Sequence, residues 1–135
     1  MRVKLNYFVL CENAVLGDRN RVSLINIYDR IYASSVPAMH GRMFLVVNLL
    51  LTSVGEKDKK VLFSLSLKSP SGKELIENSL DLEKEVNTKI ETQKFGNIFE
   101  VNGVIFTEFG IYEAILSVNN DKLASLSFEV AKSPN

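Results

Sequence analysis

The chain has 135 residues, of which 46% are hydrophobic and 24% charged, with 16 basic side chains balanced by 16 acidic ones. This length suits one domain that buries its own core, so we expect a single domain over residues 1–135. Zero net charge argues against binding to nucleic acid or to a membrane surface. One cysteine and one histidine leave no disulfide framework and no conventional zinc site, and we expect no metal and no cofactor.

The apolar stretches are too short for a membrane span or a secretion signal. The longest, residues 43–51, is interrupted by Asn48, whereas a spanning helix needs roughly twenty apolar residues. The stretch at 5–11 is short and is followed by no small-residue cleavage site. We therefore expect a cytoplasmic protein.

Apolar residues recur at every second position over most of the chain, which predicts half-buried β-strands. The clearest strands are 61–68 and 124–130. Enrichment in β-branched and aromatic residues predicts six more. These lie at about 3–12, 21–33, 42–53, 73–82, 95–106 and 111–118. About eight strands at this spacing favour an all-β fold, an antiparallel two-sheet β-sandwich.

Polar turns separate the predicted strands. Residues 69–72, Ser-Pro-Ser-Gly, predict a hairpin between the strands on either side, and 119–121, Asn-Asn-Asp, predict one between the last two strands. Residues 17–20 and 55–60 predict two further hairpin tips. The segment 82–92 is rich in Glu and Lys and its apolar residues recur at intervals of four, which leaves a short helical turn open there.

The segment Glu108-Phe109-Gly110-Ile111-Tyr112-Glu113-Ala114 is typical of the turn into the penultimate strand of an immunoglobulin-like sandwich. In that turn a tyrosine follows a small residue, and its hydroxyl bonds back to the backbone. We therefore predict a structural tyrosine corner at Gly110 and Tyr112. Ala114 stands where antibody domains carry a cysteine, so the prediction is an immunoglobulin-like topology in the broad sense. A buried tyrosine after a glycine turn in another sandwich stays open as the alternative.

Three further segments carry a resemblance to a known family. They are Tyr7-Phe8-Val9-Leu10-Cys11-Glu12, then Ser23-Leu24-Ile25-Asn26-Ile27-Tyr28-Asp29-Arg30-Ile31-Tyr32, and the corner at 106–112. With the proline-containing loop at 34–40 between them, they resemble a family of small uncharacterised bacterial proteins. Phe109 stands where that family has a proline. The resemblance spans nearly the whole chain, implies a β-sandwich, and brings no established activity.

Nucleophilic hydrolysis needs a hydroxyl or thiol, an imidazole and a carboxylate within hydrogen-bond reach. The one imidazole is His40, with Ser34 and Ser35 in the same loop and Asp29 at the end of the preceding strand. A small hydrolase using His40 with a loop serine is therefore an alternative hypothesis, against an exposed loop histidine. Cys11 lies within a predicted strand, where a lone thiol is typically a buried hydrophobe. We expect no enzyme and no catalytic residue.

Residues 43–51 are apolar on both faces of a predicted strand, whereas a strand with one face in water should alternate. The two faces are Leu45, Val47, Leu49 and Leu51 on one side, and Phe44, Val46 and Leu50 on the other. One interpretation is that a loop or the segment 82–92 covers the face that is not in the core. The alternative is that a second copy or another protein covers it.

Our hypothesis is a non-catalytic protein-interaction or assembly module that forms a homodimer or binds a protein partner. Its candidate interface is Leu45, Val47, Leu49 and Leu51. A sandwich that carries an apolar ligand between its sheets remains a further alternative.

Overall fold

The structure is a computed structural model that describes residues 2–52, 60–76 and 80–134. The strands in these ranges are β1 Arg2–Leu16, β2 Val22–Ile27, β3 Arg30–Ala33, β4 Ala38–Thr52, β5 Lys60–Lys68, β6 Leu80–Glu85, β7 Thr92–Phe106, β8 Gly110–Val118 and β9 Asp121–Lys132. A short 3-10 helix, Asp18–Asn20, joins β1 to β2. The described part of the chain contains no α-helix.

Two sheets face each other across the core. Sheet A has the order β2-β1-β4-β7, and sheet B has the order β3-β9-β8-β5-β6. All pairs are antiparallel except β3 with β9, which is parallel. The neighbours β1, β4 and β7 match strands A, B and E of an immunoglobulin domain, and β5, β8 and β9 match strands C, F and G. The predicted all-β, immunoglobulin-like sandwich is confirmed.

Alternation along the strands builds the core, because every second side chain of a strand points to the same face. Sheet B contributes Val61, Phe63, Leu65, Leu67, Ala114, Leu116 and Phe128, and sheet A contributes Leu10, Met43, Leu45, Leu49, Phe99 and Phe106. Burial of these apolar side chains between the sheets is the main source of stability.

The loop before β8 is tied to the sandwich through Tyr112. The Tyr112 hydroxyl donates a hydrogen bond of 2.7 Å to the carbonyl oxygen of Glu108. Its buried ring stacks on Phe128 at 5.6 Å and meets the edge of Phe106 at 5.0 Å between centroids. Burial raises the pKa of Tyr112, so the hydroxyl keeps the proton that it donates. This is the geometry of the tyrosine corner at the start of strand F.

Two predicted strands differ from the structure. The segment 21–33 forms two strands, since Asn26 takes a φ of 53° and the chain then crosses from sheet A to sheet B. The strand predicted at 73–82 is wrong over most of its described length, where Glu74 makes an isolated bridge and β6 begins at Leu80. Residues 77–79 lie outside the described residues.

The helical turn left open at 82–92 is also wrong. Its first part belongs to β6, where Leu80 and Leu82 pack against the core and acidic residues occupy the alternate positions. Pairing with β5 satisfies the backbone groups on the inner side of this edge strand.

The predicted turns at 69–72 and 119–121 are confirmed, but the first is followed only by the isolated bridge between Lys68 and Glu74 and not by the predicted paired strand. Gly72 donates its amide to the Ser69 carbonyl at 2.9 Å, and Asn119 and Asn120 take φ values of 49° and 69° between β8 and β9. Residues 17–20 close the β1–β2 hairpin. The tip predicted at 55–60 lies outside the described residues except for Lys60.

Gly110 occupies a position closed to other residues. Its φ is 135°, and a Cβ there would lie 2.9 Å from Cγ of Pro70. We expect Gly110→Ala to lower the free energy of unfolding by about 1–3 kcal/mol through backbone strain alone. Gly41→Ala is the control, since a Cβ there meets nothing within 4 Å. Equal midpoints for the two variants in urea unfolding would contradict this account.

Candidate functional site

The inner face of β4 is covered within the chain. Leu45, Val47, Leu49 and Leu51 point at sheet B and are at most 2% exposed. The candidate interface is therefore corrected: these four side chains are core and are not available to a partner. The physical reason is that β4 is an interior strand of a two-layer sandwich, so its inner face meets the opposite sheet.

The outer face of β4 is covered by the β1–β2 hairpin, an element not predicted for this role. Phe44, Val46 and Cys11 form a second apolar cluster, at most 5% exposed. The hairpin side chains that pack on it are Ala14, Val22 and Leu24. β1 pairs with β4 only as far as Cys11 and then pairs with β2 alone. The end of the hairpin therefore packs against the outer face of β4.

The other side of this hairpin presents apolar side chains to solvent. Val15 is 47% exposed, Ile25 44% and Ile27 61%. β2 is the last strand of sheet A, and among the described residues no strand pairs with its outer edge. The strand carries no charge between Arg21 and Asp29.

The remaining sheet edges carry features that discourage pairing with another chain. β6 is rich in acidic residues, and β3 is short, with Arg30 paired to Glu129 at 2.8 Å. The edge of β7 is occupied in part by Lys84, whose Nζ donates to the Gly96 carbonyl oxygen at 2.7 Å. Among the described edge strands, β2 alone lacks these features, which marks its edge as open to another strand.

A groove of about 860 Å³ lies between the hairpin tip and the outer face of sheet A. Its apolar lining includes Leu16, Val22, Val46, Phe95 and Ile98. Three cationic residues also line it: Arg19, Lys84 and Lys94. None of its described lining residues is acidic.

His40 lies on β4 and not in an exposed loop. Its Nε2 is 3.5 Å from the Tyr28 hydroxyl, and its ring packs against Phe106 at 6.0 Å between centroids. Burial lowers the pKa of His40 and raises the pKa of Tyr28 to about 12. Within the described ranges the ring bonds to neither serine nor carboxylate. The triad with Ser34 or Ser35 is therefore not assembled.

Four further features concern metal ligands, membrane spans, internal space and the cysteine. The described residues contain no group of three metal-ligating side chains. No helix in them is long and apolar enough to cross a membrane. Between the sheets, the space among Val47, Leu49, Phe63 and Phe95 has no room for a water molecule. Cys11 is free and buried, and burial raises the pKa of its thiol.

Comparison with known proteins identifies the family. Residues 6–131 match the family of unknown function DUF6941. The chain belongs to this family. The match confirms the resemblance inferred from residues 7–12, 23–32 and 106–112. No curated protein matches the chain.

Solved structures that resemble this DUF6941 chain include two proteins from Pseudomonas. The Pseudomonas fluorescens alkylpurine DNA glycosylase AlkC, bound to DNA containing an abasic site analogue, has a TM-score of 0.51 and 14% identity. The match covers 96% of this chain but only 30% of the glycosylase, and at this identity it shows the fold alone. An immunoglobulin-like protein from Pseudomonas aeruginosa has a TM-score of 0.42 and 13% identity, covering 96% of this chain and 97% of that one.

The depressed pKa of His40 predicts a loss of stability in mild acid. The unfolded state binds this proton more readily than the folded state, so the stabilisation is fully present above pH 6.5, the ordinary pKa, and is lost as pH falls through the folded pKa. The free energy of unfolding measured with urea should therefore fall more between neutral pH and mild acid in the wild type than in His40→Gln. Because the chain has one histidine, its imidazole signals in NMR give the pKa directly. A value at or above 6.5 would contradict the prediction.

Proposed function

We propose that the protein is a non-catalytic interaction module and that its partner is a second copy of the same chain, joined along β2. The observation that carries the proposal is the uncharged outer edge of β2 beside the exposed Val15, Ile25 and Ile27. Strand addition at an open edge is a recurrent mode of protein binding. The proposal places the module in the cytoplasm, where its single cysteine stays reduced.

The exposed apolar side chains of β2 support the use of its outer edge as an interface. Val22 and Leu24 pack against the outer face of β4, whereas Ile25 and Ile27 are exposed. A second strand beside β2 would pair its free backbone groups and set apolar side chains next to these isoleucines. Cross-strand apolar pairs stabilise sheets, and monomers seldom leave contiguous apolar surface exposed.

Charge complementarity favours a second copy as the partner. An antiparallel pairing of two β2 strands would bring Arg21, just before β2 in one copy, to the end of the other copy's β2, which Asp29 follows after the turn at Asn26. Both residues are exposed. Charge pairs at the rim of an interface contribute orientation and register more than affinity. Two copies of a chain with zero net charge also have no overall repulsion to overcome.

Sedimentation velocity over a wide concentration range tests the proposal. We expect the wild type to dimerise and Ile25→Lys to weaken dimerisation on the order of tenfold or more, because a charge would be placed on the paired edge. Ile111→Lys is the control, since Ile111 is 56% exposed but lies on sheet B. A wild type that stays monomeric at the highest concentration reached would overturn the proposal.

A charge exchange tests the antiparallel orientation of the two strands. We expect Arg21→Asp to weaken the dimer through repulsion with Asp29, and Arg21→Asp combined with Asp29→Arg to restore it. Circular dichroism of each variant checks that the sandwich is intact. If the double variant is no better a dimer than the single one, antiparallel pairing along β2 is wrong.

A further inference from the structure

We propose that the groove beneath the hairpin tip binds a small organic anion with an apolar body, of the kind represented by an aliphatic carboxylate. This inference is independent of the dimer proposal, since it uses the side of the hairpin that faces sheet A.

The cations of the groove come from three separate elements. Arg19 belongs to the hairpin tip, Lys84 to β6 and Lys94 to β7. In a chain with equal numbers of acidic and basic residues, three cations and no carboxylate among the described lining residues give the groove a local positive potential. Clefts with walls of one charge concentrate the field and attract ligands of opposite charge.

Lys84 is the best placed of the three to hold an anion. It follows Leu82 on the core-facing side of β6, whereas Glu83 and Glu85 fall on the other side. Its Nζ donates to Gly96 at 2.7 Å, and an ammonium group has three N–H donors. Two donors therefore remain for a ligand. Burial lowers the pKa of Lys84, and a bound anion would offset that desolvation.

The rest of the groove suits an apolar body. Leu16 and Val22 of the hairpin and Val46 and Ile98 of sheet A line it with apolar surface. The uncharged polar side chains in the lining are those of Tyr7, Asn48 and Asn97, and Asn48 accepts a hydrogen bond of 2.8 Å from Asn6. The volume of about 860 Å³ lies in the range of small-molecule sites. A ligand with one acidic head and an aliphatic or aromatic body matches this lining.

Titration of the isotope-labelled protein with octanoate, followed by amide chemical shifts in NMR, tests the inference. Octanol serves as the uncharged probe of the same length, and both are used below the concentration at which octanoate forms micelles. We expect octanoate to shift the amides of Arg19, Gly96, Asn97 and Ile98, with binding that weakens as salt is added. Octanol should bind severalfold more weakly.

Two variants separate the groove from general surface charge. Lys94→Gln should weaken octanoate binding by about threefold or more, the loss of one favourable charge contact. Lys122→Gln is the control, because its Nζ lies 3.5 Å from Glu113 on sheet B. Absence of octanoate shifts in the groove, equal binding of octanol, or equal effects of the two variants would each overturn the inference. None of these outcomes affects the dimer proposal, which sedimentation velocity tests separately.

Discussion

Residues 43–51 of β4 are apolar on both sides, and a sandwich of two sheets can bury only one side of a strand. Sheet B covers Leu45, Val47, Leu49 and Leu51. Phe44 and Val46 on the other side need a second cover, which the β1–β2 hairpin provides with Ala14, Val22 and Leu24. The extra length of β1 beyond its pairing with β4 is therefore explained by the need to bury this outer face.

The hairpin that covers β4 also creates the surfaces on which the functional proposals rest. A hairpin used as a cover is itself a two-sided ribbon, and its far side leaves Ile25 and Ile27 exposed. Its tip does not lie flush with the sheet, so a groove remains between Arg19 and the strands below it. The proposed dimer contact and the proposed anion site thus lie on opposite sides of one structural element.

Most of the fold could be predicted from local sequence patterns. The alternation of residues 61–68, the turn at 119–121 and the spacing of Gly110 and Tyr112 depend on short-range chemistry, and the structure has these elements where they were predicted. The cover of β4 depends on tertiary contacts that no local pattern specifies. One signal was present in the sequence: β2, like β4, is apolar on both faces, with Val22 and Leu24 on one and Ile25 and Ile27 on the other. The groove cations lie far apart in the chain, so no spacing pattern could group them.

Reactivity of the Cys11 thiol tests most directly whether the hairpin covers the outer face of β4. Cys11 is the single cysteine. It lies on β1 and is fully buried in the cluster with Phe44 and Val46, against which the end of the hairpin packs. The account predicts that a thiol reagent labels the folded wild type slowly, that Leu24→Asp accelerates labelling strongly while circular dichroism stays that of a sandwich, and that Ile25→Asp, on the opposite side of β2, does not. Equal labelling rates in these two variants, or a wild-type rate equal to that of the unfolded chain, would contradict it.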